Sequence, residues 1–304
     1  MKEFEFLETL AHTFNNKENF IGDDAVLIDK YLYTKDIIVE NTHFLKTTPL
    51  EYVIHKLFTS NISDISAMGG TPLYCLLGIA VDSNESLEYI IPLVKKECDY
   101  YNIHLIGGDT TFSKSGLFFS LTVIGIKNKN VIYRHGAESG DIIFLSRPCG
   151  LNKISLEKEL GQNNFNINKY MHYNTYPEHK LGELLGNIEG VTSLTDISDG
   201  LSTDLINILE SSNKKGVLEY EKLPLSHLYD YNINHLDYFL SSGEEYSLLF
   251  TVEKESASYV KEIVKTSLEK EIYEIGYIEE GSGLYLKENS NFKKLDNTGY
   301  EHFK

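Results

Sequence analysis

Five short segments set a carboxylate among Gly, Ser or Thr beside an apolar stretch. They are Gly22-Asp23-Asp24-Ala25, Thr34-Lys35-Asp36, Asn61-Ile62-Ser63-Asp64, Gly107-Gly108-Asp109-Thr110 and Asp196-Ile197-Ser198-Asp199-Gly200. Small neighbours let a backbone come close to a ligand and let an Asp sit in a tight turn. Any one of these Asp residues would ordinarily be a helix cap or an Asx-turn, but five in one chain weaken that reading. Gathered in one cleft, carboxylates about 5 Å apart would repel by roughly 3 kcal/mol per pair at an effective dielectric near 20. Such a cluster needs cations, and oxygen ligands with no soft partner select Mg²⁺ or Ca²⁺ over zinc. Mg²⁺ held by a few carboxylates and by substrate phosphates is the usual equipment of phosphoryl transfer. On the assumption that the segments converge, the residues point to an enzyme that uses a Mg-nucleotide. A non-catalytic, acidic cation- or nucleotide-binding protein is the competing class.

The common nucleotide motifs are absent. There is no G-x-x-x-x-G-K-[ST], no kinase motif set, and no G-x-G-x-x-G, since Leu286 stands where the third glycine after Gly281-Ser282-Gly283 would fall. A nucleotide must therefore be held through metal and backbone rather than by a P-loop lysine. H-E-x-x-H and G-x-S-x-G are missing too.

The elements that must position these residues alternate along the chain. Strand-like segments are Tyr31–Glu40, Leu73–Val81, Ile103–Ile106 and Leu117–Ile126, with helices at Pro49–Met68 and Leu87–Tyr100. The polar, Gly-rich stretch Arg134–Asp141 marks a domain boundary, which divides the chain into residues 1–137 and 138–304. Beyond it, Ile142–Leu145, Tyr246–Val252, Glu271–Ile278 and Leu284–Lys287 read as strands. Leu201–Glu210 and Ser256–Leu268 read as helices, and Gly161–Asn168 as a surface loop. Both halves are thus α/β, and 304 residues suit two domains.

Charge and cysteine content narrow the partners. With 28 Lys+Arg against 45 Asp+Glu the net charge is −17, which argues against non-specific binding to nucleic acid or to an anionic membrane. No apolar run is long enough for a bilayer helix, and the acidic N-terminus does not resemble a signal peptide. Cys75, Cys98 and Cys149 form no metal spacing and no disulfide framework, so a cytoplasmic location is expected.

Taken together, the order IGDDAVL, TKDIIVENTHF, NISDISAMGGTP, GGDTTFS, RHGAESGD, DISDGLSTDL, SSGEEYSLLF and GYEHF resembles the thiamine-monophosphate kinase family. That family belongs to the superfamily of aminoimidazole ribonucleotide synthetase, selenophosphate synthetase and HypE. The resemblance runs from about residue 20 to the C-terminus. It implies a two-domain α/β (α+β) fold of the aminoimidazole ribonucleotide synthetase type. It also implies a homodimer whose N-terminal sheets join in a shared barrel. The implied reaction is ATP-dependent phosphorylation of thiamine monophosphate to thiamine diphosphate, assisted by several Mg²⁺ ions, with no covalent protein nucleophile. The family's metal ligands fall on Asp24, Thr34, Lys35, Asp36, Asp64, Asp109, Asp196 and Asp199. Its ATP contacts fall on Gly108, Asp109, Arg134 and Ser198, and its substrate contacts on His43, Glu244 and Tyr300. Arg134 suits a bidentate phosphate contact, Glu244 a thiazolium cation, and Tyr300 a ring stack. By the alternation of a strand, Thr34 and Asp36 share a face and Lys35 points away, leaving only its backbone carbonyl for metal; a bulge at this point would instead turn Lys35 inward to touch a phosphate.

The chain departs from the family pattern in three places. G-G-E-D-Y is Ser242-Gly243-Glu244-Glu245-Tyr246, the Arg- and Pro-rich stretch is Tyr173–Lys180 without arginine, and the small-residue turn is Ser146-Arg147-Pro148-Cys149-Gly150. Among superfamily alternatives, selenophosphate synthetase would show a reactive Cys or selenocysteine in a Gly-rich N-terminal segment, whereas no Cys precedes Cys75. HypE would end in a cysteine, whereas this chain ends His302-Phe303-Lys304.

Overall fold

The computed structural model describes residues 3–14 and 21–299. The first half runs α1 (Glu3–Phe14), β1 (Val26–Ile28), β2 (Tyr31–Val39), α2 (Leu50–Ala67), β3 (Gly70–Val81), α3 (Asn84–Tyr101), β4 (His104–Phe112) and β5 (Phe118–Lys127). Its strands form one sheet in the order β1-β2-β5-β3-β4. Only β3 and β4 are parallel, and they are joined by α3 as a crossover. Along β5 the side chains alternate: Phe119, Leu121 and Val123 are buried against α2, and Phe118, Ser120 and Thr122 face the other way, half-buried. The core under this sheet also takes Leu32 and Ile38 from β2 and Leu57, Phe58, Ile62 and Ile65 from α2.

The second half contains β6 (Ile142–Leu145), α4 (Leu151–Glu159), α5 (His179–Leu185), β7 (Val191–Asp196), α6 (Leu201–Ser212) and β8 (Lys215–Glu219). It continues with α7 (His235–Ser241), β9 (Leu248–Val252), α8 (Ala257–Leu268), β10 (Tyr273–Glu279), β11 (Gly283–Glu288) and β12 (Asn291–Leu295). The sheet order is β12-β11-β8-β10-β6-β9-β7, antiparallel except for β8 beside β11. Central strands β6 and β9 are covered on both faces. Ile143, Leu145 and Leu249 enter one core, and Phe144, Leu248 and Phe250 enter the other. That double burial is why these segments read as unbroken apolar runs.

Helix α2 is wedged between the two halves. It packs on β2, β3 and β5 of its own sheet and on α5 and β7 of the other. Polar residues Lys56, Thr59, Asn61, Ser63 and Ser66 are consequently buried along with its apolar ones. The connection after β5 follows the same seam. Asn130 N donates to Gly186 O (2.8 Å), and Leu194 N donates to Tyr133 O (3.0 Å).

The chief difference from the expected elements is β4, which extends through Gly107-Gly108-Asp109-Thr110 instead of stopping before a turn at Ile106. Parallel pairing with β3 makes this possible, because a Cβ on Gly108 would stand 1.9 Å from the Leu77 carbonyl oxygen. Strands β7, β8 and β12 and helices α4, α5 and α7 were not expected. They are short, and β7 (VTSLTD) mixes hydroxyl and apolar residues without a clean period.

Candidate active site

Lys56, Ser60 and Asp64 recur every fourth residue along α2, so they share one face of the helix. That face looks into a cleft of about 860 Å³, lined from both halves of the chain. Strand β2 brings Thr34 and Asp36 to it, the loop before β1 brings Asp23 and Asp24, and the end of β7 brings Asp196.

Three of these carboxylates meet. One oxygen each of Asp24, Asp64 and Asp196 lie within 4.8 Å of one another. Hydroxyls orient two of them: Thr34 Oγ1 donates to Asp64 Oδ2, and Ser63 Oγ donates to Asp196 Oδ2 at 2.5 Å. Asp24 is gripped by Arg134, whose Nη2 and Nε donate to Oδ1 (2.5 Å) and Oδ2 (3.3 Å), and by Thr195 Oγ1 at 3.1 Å. The main-chain N–H of Arg134 also donates to Asp23 Oδ1 (2.7 Å).

Electrostatics mark the cluster as short of positive charge. Burial, and then repulsion from Asp36, Asp196 and Asp24, holds the Asp64 carboxyl well above the usual carboxylate range. Burial, then Asp24, pushes Asp196 up to about 8. Asp36 is raised by burial, against a smaller opposing effect of a hydrogen bond from Ser60, and its backbone N–H donates to Asn61 Oδ1 at 3.1 Å. The donor set is all oxygen, compact and mutually repelling, which fits a hard divalent cation such as Mg²⁺.

The turn after β7 is shaped by Asp204 in the first turn of α6. Its Oδ2 accepts the backbone N–H groups of Ser198, Asp199 and Gly200 at 3.1, 3.2 and 3.2 Å. Ser198 and Asp199 are thereby set at the cleft wall. Opposite them, the loop before β9 carries Glu244, in a left-handed backbone conformation (φ +55°). Gly243 lies so close that a Cβ there would stand 2.8 Å from Ser198 O.

Family models match this architecture in two pieces. Residues 22–127 match the AIR synthase related protein, N-terminal domain, and residues 138–289 match its C-terminal domain. The chain is 34% identical to the thiamine-monophosphate kinase of Haemophilus influenzae, over 93% of this chain and 91% of that one. It is 32% identical to the corresponding protein of Buchnera aphidicola from Acyrthosiphon pisum, over 95% and 93%. The chain belongs to the thiamine-monophosphate kinase family. Among solved structures, AaThiL complexed with AMPPCP and TMP superposes with a TM-score of 0.85 at 28% identity, covering 99% of this chain and 97% of that one. The Aquifex aeolicus thiamine monophosphate kinase gives 0.80 at 27%, covering 97% and 99%. Escherichia coli HypE shares the fold, with a TM-score of 0.69 at 18% identity over 96% and 97%.

Set against that family, the residues expected from sequence fall into groups. Asp24, Asp64 and Asp196 converge, and Thr34, Asp36, Asp199, Ser198, Arg134, His43 and Glu244 line the same cleft. Lys35 has its side chain on the outer face of the sheet, where Nζ donates to Ser120 Oγ at 2.6 Å, as strand alternation requires. Gly108 and Asp109 stand on exposed edge strand β4 and do not line this cleft within one chain. Tyr300 lies outside the described residues. Arg134 is engaged by Asp24, and Glu244 Oε1 is paired with Lys56 Nζ at 2.5 Å.

Lys56 and Asp204 were overlooked as site residues. The fourfold spacing of Lys56, Ser60 and Asp64 inside an expected helix was the available signal for the first. An acid in the first turn after Asp199-Gly200 was the signal for the second. Glu245, the lengthened carboxylate, turns away from the cleft. It accepts from Gly150 N (2.7 Å) and Ser242 Oγ (2.6 Å), so the extra methylene spans to the start of α4. Arg147 donates to Tyr176 O (2.8 Å) and Glu178 Oε1 (3.1 Å), which ties together the other two altered segments.

Proposed function

We propose that the chain transfers the γ-phosphoryl group of ATP directly to the phosphate of thiamine monophosphate, forming thiamine diphosphate. The carrying observation is the convergence of Asp24, Asp64 and Asp196 on the wall of a cleft large enough for a nucleotide and a second substrate. Support comes from the relative whose structure holds AMPPCP and TMP.

Asp24, Asp64 and Asp196 would hold Mg²⁺, with Thr34, Asp36, Asp199 and the Lys35 carbonyl as further ligands. Bound there, Mg²⁺ would neutralise phosphate charge and draw phosphate oxygens into line. The protein's own share is positioning. Thr34 and Ser63 fix the Asp64 and Asp196 oxygens, and Arg134 fixes Asp24 while presenting cationic charge at the cleft edge. Asp204 holds the Ser198–Gly200 backbone rigid. The acceptor phosphate supplies the attacking oxygen, so no protein nucleophile is required. No cysteine is among the described residues that line the cleft. Ser198 contributes to the ATP site, and His43 and Glu244 contribute to the thiamine site.

Residues 1–137 act as the ATP- and Mg²⁺-binding and dimerising domain, and residues 138–304 complete the substrate site. An exposed edge strand invites a partner, and every residue of β4 is exposed, with Ile106 at 55% and Phe112 at 66%. Ile37 and Leu76 add exposed apolar surface on the same sheet. A second copy joining these sheets into a barrel would cover them. Gly108 and Asp109 would then meet nucleotide only in that assembly, so the dimer completes the site. A cytoplasmic location is in keeping with this reading. The test is whether ATP and thiamine monophosphate, incubated with the protein and Mg²⁺, yield thiamine diphosphate and ADP in equal amounts. ADP with free inorganic phosphate instead would refute it.

A further inference from the structure

Lys56 carries a buried cation into a cleft otherwise rich in carboxylates. Its side chain is 4% exposed. The ammonium has three donors, and two of them meet oxygens of the protein. Glu244 Oε1 lies at 2.5 Å, His43 O accepts at 2.8 Å, and the Tyr173 ring centroid lies 5.2 Å away. The ammonium is thus committed first to Glu244 and the His43 carbonyl, which distinguishes it from a lysine held free for phosphate.

Its partner comes from the other half of the chain. The Glu244 backbone is set independently of Lys56: Glu244 N donates to Ser198 O (2.7 Å), Asn152 Nδ2 donates to Glu244 O (2.7 Å), and Tyr246 N donates to Ile197 O (2.9 Å). Both Glu244 and Tyr246 hold positive φ, +55° and +50°. These contacts fix the loop but not the carboxylate at the end of a flexible side chain. Lys56 does that across the domain seam. The Glu244 side chain is 31% exposed, so the pair turns its acidic half to the cleft. Eight residues of helix separate Lys56 from Asp64, about 12 Å along the axis. The pair therefore stands beyond the phosphates, where the organic half of an acceptor would lie.

We infer that Lys56 is a positioning residue that holds one oxygen of Glu244, leaving the other as acceptor for the amino N–H of the substrate's aminopyrimidine ring. The inference rests on the proposed reading that thiamine monophosphate is the acceptor. Pairing with Lys56 also makes this end of the cleft charge-neutral, so recognition there is by hydrogen bond rather than by bare anion.

The test is a mutant cycle on the full-length protein, reading KM for thiamine monophosphate, KM for ATP and kcat. Lys56→Met is expected to raise KM for thiamine monophosphate roughly tenfold, with kcat and KM for ATP within about threefold of wild type. In a Glu244→Gln background Lys56→Met should add little, because both act through one carboxylate. An equal rise in KM for ATP, fully additive losses, or an unchanged KM for thiamine monophosphate would each overturn the inference. If thermal unfolding shows Lys56→Met to be unfolded, Lys56→Ala, a good helix former with no donor, carries the same comparison. A wild type with no thiamine-monophosphate-dependent ADP release would refute the functional reading and this inference with it. A wild type that turns over beside an unaffected variant would refute this inference alone.

Discussion

Asp64 is the residue on which the cluster turns. It lines the cleft half-buried, it accepts from Thr34, and its carboxyl is raised by burial and by three neighbouring aspartates. Replacing it with Asn removes one repelling charge while keeping the shape. Asp64→Asn should therefore cut kcat by at least about a hundredfold, the scale of losing one electrostatic group at a reacting centre. It should leave the metal-free melting temperature unchanged or slightly raised. A variant with near wild-type kcat would remove Asp64 from the site. Asp24, Asp64 and Asp196 were legible because each sits in a short local motif of acid beside Gly, Ser or Thr. Lys56 was not, because an ion pair between α2 and the loop before β9 joins residues 188 positions apart, and nothing local announces it.

At the scale of elements, strand β2 separates two neighbouring side chains. Lys35 is exposed and bonded to Ser120 on the outer face, whereas the Asp36 carboxyl accepts from Ser60 on α2. Lys35→Ala should keep most activity and Asp36→Ala should lose nearly all of it. A rise of more than about tenfold in KM for ATP in Lys35→Ala, roughly 1.4 kcal/mol of binding, would mean that the side chain reaches phosphate. Strand periodicity made this geometry readable in advance. The extension of β4 through Gly107–Thr110 was not readable, because glycines usually signal a turn and only tertiary pairing with β3 overrides that preference.

The carboxylate cluster also ties α2, β2 and β7 to pH. A carboxyl raised on folding binds its proton more tightly in the native state, so its contribution to stability is present at low pH and lost as pH rises through the folded value. For Asp196 that window runs from the ordinary 3.8 to about 8, with Asp36 and Asp64 raised in the same direction. His179 and His227, lowered by burial, work the opposite way near 6.5. The useful interval therefore lies between about pH 7 and 8, once these histidines are neutral in both states and below the ordinary thiol value of 9.0, from which Cys98 is lowered and Cys75 and Cys149 are raised. In chelator, the melting temperature should fall between about pH 7 and 8, and Mg²⁺ should stabilise more at the upper end, since it competes with protons for the same oxygens. A chelated melting temperature that holds level or climbs across that interval would contradict the clustered-carboxylate account.

For the whole molecule, the chain encodes a cleft between two sheets, with α2 as the shared wall. The two-domain division and the α/β class were visible in the alternation of strand and helix patterns. The antiparallel mixing of both sheets was not, because pairing partners such as β7 and β9 are set by long-range packing. The exposed β4 edge has its own consequence. The protein should scatter light as a dimer of about 69 kDa, twice 34.6 kDa, at micromolar concentration. A monomer would leave the Gly108–Asp109 pair outside any site and contradict the shared barrel.

The central claim is that the acidic cleft joins ATP to a phosphate already carried by thiamine. The most direct measurement is ADP release with Mg²⁺ in three parallel reactions containing thiamine monophosphate, thiamine or no acceptor, each repeated in excess EDTA. The account predicts steady ADP release with thiamine monophosphate alone, and none in EDTA. Equal rates with thiamine, release independent of acceptor, or full turnover in EDTA would contradict it.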